Sequence, residues 1–114
     1  MIDSKLFQTL ADPIRFRIVE TLRGGECAVN DIVDRVEIHQ SGVSRHLRIL
    51  HEAGFVQVQR VGSRRLYSLR PRPFSEFNIW VTRYSRFWEA RLDKFAAELA
   101  RKRKARKIQG KGTL

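Results

Sequence analysis

The sequence is poor in cysteine and has no long apolar run. Cys27 is the only cysteine among 114 residues, so no disulfide can form within the chain and a reducing compartment is expected. No stretch approaches the ~20 apolar residues that a membrane-spanning helix needs. The chain also does not start with a basic segment followed by an apolar one, as a signal peptide does. These absences predict a soluble, cytoplasmic protein.

The residue groupings that catalysis requires are missing as well. We find no nucleophile beside a base, no paired carboxylates and no glycine-rich phosphate loop. Three scattered histidines and one cysteine do not have the spacing of metal ligands. Cys27 is expected to be a small buried apolar residue, with a redox-sensing thiol as the less favoured alternative. We therefore predict that the chain is not an enzyme and holds no metal or cofactor.

Acidic residues are scarce relative to basic ones. The chain has 23 Lys and Arg against 12 Asp and Glu, a formal net charge of +11. Seven of the 23 bases lie in residues 101–114, which contain no acid, so residues 1–100 hold 16 bases and 12 acids. Nucleic acid is the commonest partner of such a chain, and an anionic membrane is the second. We predict one domain over residues 1–103 and a basic flexible tail over residues 104–114 that contacts phosphate.

Residues 40–56 predict a helix with two unlike faces, followed by a strand. The apolar face carries Val43, His46, Leu47 and Leu50, and the polar face carries Ser41, Ser44, Arg45, Arg48 and Glu52. A helix of this width fits the major groove of duplex DNA. Gly54 suits the left-handed cap that ends such a helix. The pattern indicates a helix that packs on a core and reads DNA.

The neighbouring segments predict a winged helix-turn-helix, mainly α with one β-hairpin. A helix over residues 29–36 precedes the reading helix after a tight link. Residues 55–61 alternate apolar and polar, and residues 64–69 return after the turn at Gly62-Ser63 as a second strand. Two earlier helices begin at Asp3 and at Asp12-Pro13.

Eight residues are the candidates for contacting DNA. The hydroxyls of two serines suit phosphates or bases, while the arginines suit guanine or phosphate. Gln40 suits adenine but also suits a helix cap. His46 lies at the edge of the apolar face, where a structural or phosphate-contacting role is favoured over a titrating switch. The candidates are Gln40, Ser41, Ser44, Arg45, His46 and Arg48 in the helix and Arg64 and Arg65 at the hairpin tip.

The rest of the chain predicts a stiff hinge at Arg70–Pro73 and then one long helix to about Arg103. Apolar residues recur along it at spacings of three and four. They suit an intramolecular core, a dimer seam or an amphipathic membrane anchor. We favour a twofold dimer, because a small domain has little room for so many rings and an exposed patch is rarely tolerated. Membrane binding is less favoured, because Glu89, Asp93 and Glu98 lie among the bases on the polar face. The predicted interface comprises Leu6, Phe77, Trp80, Tyr84, Phe87, Trp88 and Phe95.

Three stretches resemble the ArsR family of bacterial winged-helix transcriptional repressors: residues 10–19, LADPIRFRIV; residues 40–56; and residues 60–69, RVGSRRLYSL. The resemblance covers roughly residues 4–70. It implies a homodimer that binds operator DNA and releases it when an effector binds. It also implies that the eight candidate residues contact the operator.

The chain departs from the family at the metal-sensing motif. Metal-sensing members carry Glu-Leu-Cys-Val-Cys-Asp-Leu where this chain has residues 26–32. Ala28 and Asn30 stand at the two thiolate positions, and Cys27 stands at the leucine. A methyl group and a neutral amide cannot replace two thiolates for a soft metal. The resemblance therefore implies a branch without metal ligands, whose small-molecule effector, if any, is unidentified.

These observations predict a sequence-specific DNA-binding transcriptional regulator, most simply a repressor, that binds an inverted repeat as a homodimer. Its expected partners are double-stranded DNA and a second copy of itself. The alternative is an interaction module, in which the aromatic helix binds a protein, a lipid surface or an apolar ligand and the winged helix is only a scaffold.

Overall fold

The computed structural model describes residues 2–112, with side chains described for residues 2–107. The chain divides into two compact units, an N-terminal unit of residues 1–77 and a C-terminal unit of residues 78–114. The elements, in chain order, are α1 Ser4–Ala11, α2 Pro13–Leu22, β1 Cys27–Ala28, α3 Val29–Val36, α4 Gln40–Glu52, β2 Val56–Val61, β3 Arg64–Leu69 and α5 Pro71–Gly112. A mainly helical fold with a β-hairpin is thus confirmed.

The first two helices begin at aspartate caps, as predicted. The Asp3 carboxylate accepts a hydrogen bond from the Lys5 backbone N–H at 3.0 Å. Asp12 accepts from the backbone N–H groups of Ile14 and Arg15 at 2.9 and 3.1 Å. The backbone N–H of Arg15, then that of Ile14 and the Arg15 guanidinium, hold the pKa of Asp12 below its usual 3.8, although partial burial opposes them. The cap is therefore strongest when Asp12 is ionised.

Asp12→Ala should lower the free energy of unfolding by about 1 kcal/mol at pH 7, because two backbone donors at the start of α2 are left without their acceptor. A depressed folded pKa stabilises the fold above the unfolded pKa, and that stabilisation is lost as the pH falls through the folded value. The difference in free energy of unfolding between the wild type and Asp12→Ala should therefore become smaller at pH values below 3.8. Urea denaturation across a pH series measures it, with Asp34→Ala as an exposed control. A difference independent of pH would contradict the ionised cap.

The core of the N-terminal unit joins α2, α3 and α4 to the sheet. Phe55 leads from α4 into the strands, and its ring centroid lies 5.8 Å from that of Phe74 and 6.1 Å from that of Phe77. Cys27 belongs to the same cluster, so its predicted role as a small buried residue is confirmed. The fully buried side chains are Ile18, Ile32, Val36, Val43, Leu47, Leu50, Phe55 and Val56.

The hairpin is part of a three-stranded antiparallel sheet with strand order β1-β3-β2. Both hairpin strands lie where the sequence predicted them, except that β2 begins at Val56 rather than Phe55. The strand β1 was not predicted, because two residues are too few to show an alternating pattern. It pairs Cys27 with Tyr67 and Ala28 with Leu66, which ties the wing to the start of α3.

The helix-turn-helix consists of α3, a short turn and α4. At Gly42 a Cβ atom would lie 3.2 Å from Ile38 Cγ2, so a glycine lets the turn pack closely on α4. After α4 the chain reverses at Gly54, whose φ of 84° favours glycine. There the Phe55 N–H donates to the Leu50 carbonyl at 2.9 Å. The predicted glycine cap of this helix is therefore confirmed.

Helix α5 differs from the prediction at both ends. It begins at Pro71, so the predicted hinge at Arg70–Pro73 is wrong: prolines are tolerated in a first turn, where backbone N–H groups lack helical partners. Its backbone is helical to Gly112, past the predicted end at about Arg103, and residues 113–114 of the predicted tail lie outside the described residues. Lys, Arg and Ala favour helix, and neither proline nor glycine occurs in residues 74–109. No helix in the described part of the chain is long and apolar enough to cross a membrane.

Candidate nucleic-acid interface

One polar side of α4 lines an open groove of about 850 Å³. Gln40, Ser44, Arg48 and His51 lie on this side at successive spacings of four, four and three, which bring them together along one helix edge. Residues at the start of α3 and in the wing form the other walls. The groove therefore joins the predicted reading helix to the predicted wing.

The wing presents hydroxyl and guanidinium groups to the same groove, from Ser63, Arg64 and Arg65. Arg64 Nη2 lies 3.8 Å from Asp31 Oδ2, which comes from the first turn of α3. Both side chains are more than half exposed, so the pair adds little stability, but it places Arg64 beside the helix-turn-helix. A phosphate that approaches this guanidinium competes with Asp31 for it.

The structure brings five of the eight predicted contact residues into one groove: Gln40, Ser44, Arg48, Arg64 and Arg65. Two others, Ser41 and Arg45, are exposed on α4 but do not line it. They lie on the neighbouring outer face of the same helix, where they remain accessible to a phosphate backbone. The predicted contact residues of α4 therefore fall into two groups, those that line the groove and those on the adjacent outer face.

His46 does not fit its predicted role as a DNA contact. Its side chain is only 6% exposed, and its Nδ1 lies 3.3 Å from Arg15 Nη1 of α2. The helical pattern placed this residue at the edge of the apolar face, where both inward and outward orientations fit. The hydrogen bond to Arg15 favours the inward one, so the structural interpretation of His46 replaces the phosphate-contacting one.

Sequence reasoning missed several residues of the groove. His51 follows Arg48 by three positions, a spacing that would have placed it on the reading side of α4. Asn30 and Asp31 had no such signal, because the groove brings the start of α3 next to a wing more than 30 residues away in sequence. Their place depends on the pairing of β1 with β3.

The C-terminal unit consists of the rest of α5, and one side of it is apolar and exposed. Trp88 is 53% exposed and Phe95 is 59% exposed. The Arg91 guanidinium lies 4.2 Å from the Phe87 ring centroid and 5.8 Å from that of Trp88, covering only part of each ring. The exposed apolar residues on this side are Val81, Tyr84, Phe87, Trp88, Leu92, Phe95 and Leu99; with Trp80, whose ring lies 4.8 Å from that of Tyr84, they are called the α5 stripe.

Two residues of the predicted dimer interface also pack within the N-terminal unit. Phe77 is partly buried, with its ring centroid 5.0 Å from that of Phe7 and 6.1 Å from that of Phe55. Leu6 packs against the same core cluster. Helical spacing groups Phe77 with the α5 stripe. It does not show that this turn of the helix packs against the core of the N-terminal unit. These contacts show that Phe77 and Leu6 pack within one chain, and their part in a dimer interface stays a prediction.

The similarity to known proteins follows this architecture. The model of a family described as "Bacterial regulatory protein, arsR family" matches residues 12–58, from the cap of α2 into β2. The HTH-type transcriptional regulator Rv2034 of Mycobacterium tuberculosis is 34% identical over 92 residues, covering 81% of this chain and 83% of that protein. This chain belongs to the ArsR family. As an ArsR protein it is a transcriptional regulator and not an enzyme, which confirms the prediction from the sequence.

Other relatives match over most of the chain. The transcriptional repressor SdpR of Bacillus subtilis is 28% identical over 81 residues, which are 71% of this chain and 90% of that protein. A solved structure described as a possible transcriptional regulator for arsenical resistance is 32% identical, with a TM-score of 0.63 over 86% of this chain and 97% of that one. The winged helix-turn-helix of this ArsR chain is thus shared along nearly the whole length of a relative.

The residues of this ArsR chain do not fit the metal-sensing motif of the family. Ala28 and Asn30 stand at the positions that the resemblance assigns to the two thiolates. Cys27 is buried in the core, with its Sγ 3.6 Å from the Gly25 carbonyl oxygen. Within the part of the chain that the structure describes, no three His, Cys, Asp or Glu side chains converge as metal ligands do. A single buried thiol lacks the partner that a soft metal needs.

Proposed function

We propose that this ArsR protein is a cytoplasmic repressor that binds an inverted-repeat operator as a homodimer, with α4 of each protomer in a major groove. One observation carries the proposal: the polar edge of α4 and the basic wing share a single groove. A major groove is wide enough for one helix, and basic side chains beside it hold the flanking phosphates. A repressor acts by occupying the operator in this way.

The groove residues suit different parts of a duplex. Arg48 is placed to donate two hydrogen bonds to guanine O6 and N7, and Gln40 to pair with adenine. Ser44 suits a phosphate or a base edge, while Arg65 suits the phosphate backbone. Ser41 and Arg45, on the outer face of α4, suit flanking phosphates, and His51 and Arg64 join them as contacts that position the protein.

The partner that fits the α5 stripe is the same stripe of a second copy. Its exposed aromatic and aliphatic side chains form a surface of a kind that monomers rarely leave in water. Twofold pairing would bury these residues against identical ones, as an isologous interface does. A dimer also matches an operator whose half-sites lie ~34–36 Å apart, or a multiple of that distance.

Selection of binding sites from a random duplex library tests the proposal. The full chain at physiological salt is expected to enrich an inverted repeat and to prefer it to a scrambled duplex by at least ~10³-fold. Enrichment of a single half-site would contradict the dimer. The absence of any enriched sequence would contradict sequence-specific binding altogether.

A second candidate, an apolar-ligand module, draws on a surface pocket of about 530 Å³ on α5, lined by rings of Trp80, Tyr84 and Trp88. Such a ligand would also suit an effector of the repressor. Quenching of tryptophan fluorescence by an apolar probe, in a chain without operator preference, would favour this candidate. Quenching together with lower operator affinity would favour an effector.

The basic end of α5 is proposed to contact phosphate without regard to sequence. Residues 101–107 hold six bases and no acid, and their side chains are exposed. The bases point to all sides of the helix and leave no apolar face, which an interfacial membrane helix requires. Counterion release then makes each phosphate contact visible in the salt dependence of binding.

Replacing these six bases by glutamine should lower affinity roughly tenfold for operator and random duplex alike. The slope of log K against log salt should become shallower by ~0.9 for each phosphate that the variant no longer neutralises. Fluorescence anisotropy titrations at several salt concentrations measure it. A matched control exchanges Arg and Lys within residues 101–107, which keeps the charge and should keep the slope. An unchanged slope in the glutamine variant would remove the basic segment from the DNA interface.

A further inference from the structure

The guanidinium of Arg15 joins three helices in the N-terminal unit. Its Nε donates to the Thr9 carbonyl oxygen at the end of α1, at 2.7 Å. Its Nη1 lies 3.3 Å from His46 Nδ1 in α4 and 3.9 Å from Asp12 Oδ2 at the cap of α2. The Arg15 side chain is only 16% exposed, so these contacts are shielded from water. None of the three partners lines the groove proposed to receive DNA.

The contact between Arg15 and His46 requires a particular form of the imidazole ring. A guanidinium has only donors, so the contact is a hydrogen bond when His46 Nδ1 carries no proton and accepts. His46 is the buried polar side chain of α4, and it lies two residues from Ser44 and two from Arg48 on the opposite side. The hydrogen bond therefore joins α2 to the side of α4 that faces away from the groove residues.

We propose that Arg15 is a positioning residue, which through His46 fixes α4 against α1 and α2 and so sets operator specificity from the side of α4 that faces away from DNA. This inference rests on the proposed function. Base reading requires side chains held within ~0.5 Å and 10–20° of their working geometry. Non-specific binding requires only positive charge near phosphate. Breaking the Arg15–His46 hydrogen bond therefore affects the two kinds of binding differently.

The informative quantity is the specificity ratio, the affinity for the selected operator divided by that for a scrambled duplex. Arg15→Met and His46→Leu remove the donor and the acceptor with similar side-chain volumes. Each should lower the ratio about five- to tenfold while the affinity for the scrambled duplex stays within about twofold. The double variant should show no larger a decrease than Arg15→Met alone, because Arg15→Met already removes the hydrogen bond that His46→Leu removes.

Two conservative variants separate positioning from folding. His46→Asn keeps an acceptor near the position of Nδ1, so its ratio should stay within about twofold of the wild type. Arg15→Lys keeps the charge but cannot reach both Thr9 and His46, so its ratio should fall even if Arg15→Met unfolds. Thermal unfolding, recorded for every variant, identifies those that are folded at the temperature of the binding assay.

Three outcomes would overturn the inference. The first is a ratio that is unchanged in folded Arg15→Lys and His46→Leu, and the second is a double variant in which the two single decreases multiply. The third is a ratio for His46→Asn that falls as far as that for His46→Leu. A wild-type protein that does not distinguish the operator from the scrambled duplex would instead overturn the proposed function.

Discussion

Trp88→Glu is expected to convert the proposed homodimer into monomers and to remove operator binding at concentrations that saturate the wild type. Trp88 lies in the middle of the α5 stripe and is 53% exposed in one chain. Its ring packs edge-on against that of Phe87 at 5.6 Å, and central tryptophans of this kind dominate many interfaces. In a twofold interface, the carboxylates of both chains would be buried, and neither would have a positively charged partner. We expect the dimer dissociation constant to rise at least ~100-fold.

Sedimentation equilibrium from nanomolar to high micromolar concentrations measures this change directly. Ala90→Glu is the matched control, because Ala90 is exposed on the side of α5 away from Trp88 and the new charge is the same. The control should remain a dimer and keep its operator affinity. A dimeric Trp88→Glu protein would show that the α5 stripe is not the seam, and a monomeric protein that still protects both half-sites would separate dimerisation from operator binding.

The second large effect is expected at Arg48. Arg48 lies on the edge of α4 that faces the wing, and it lines the groove with Arg64 and Arg65. If it reads a guanine, Arg48→Ala should weaken operator binding by about 1–3 kcal/mol, roughly 5- to 150-fold. Binding to a scrambled duplex should change far less, because the variant gives up at most one interaction with phosphate. A second selection with the variant should show relaxed preference at a single base pair of each half-site.

Alanine variants of two other arginines serve as comparisons for Arg48→Ala. Arg60→Ala removes an exposed arginine of β2 that does not line the groove, and it should leave the specificity ratio unchanged. Arg45→Ala, on the outer face of α4, should cost less specificity than Arg48→Ala if it holds phosphate. Equal decreases in affinity for operator and scrambled DNA with Arg48→Ala would mean that this side chain only contacts the backbone.

Local chemistry made much of the fold predictable. Asp3 and Asp12 accept backbone donors at the starts of α1 and α2, and such caps act within one turn of chain. Gly54 and the alternation in the hairpin likewise depend on neighbours in sequence. The polar edge of α4 follows from helical periodicity alone. These features depend on residues close together in sequence, so they can be predicted from the sequence.

The features that were not predicted depend on contacts between distant segments. The inward side chain of His46 contacts Arg15, 31 positions earlier in the chain. The Phe77 ring packs against the rings of Phe7 and Phe55, which lie in other elements. The spacing of apolar residues along α5 does not show these contacts. The groove includes Asn30 and Asp31 only because the two-residue strand β1 pairs with the wing. Periodicity assigns a residue to a face of its helix, while tertiary packing decides what that face meets.

Hydroxyl-radical footprinting of the selected duplex tests most directly whether two α4 helices, held together by α5, read one operator. We expect two protected patches of equal strength, related by a twofold axis and centred about one helical turn, ~34–36 Å, apart on one face of the DNA. Inserting about five base pairs between the half-sites should remove the joint protection, because it places them on opposite faces. A single protected patch, or two patches that persist unchanged after the insertion, would contradict joint binding by two linked α4 helices.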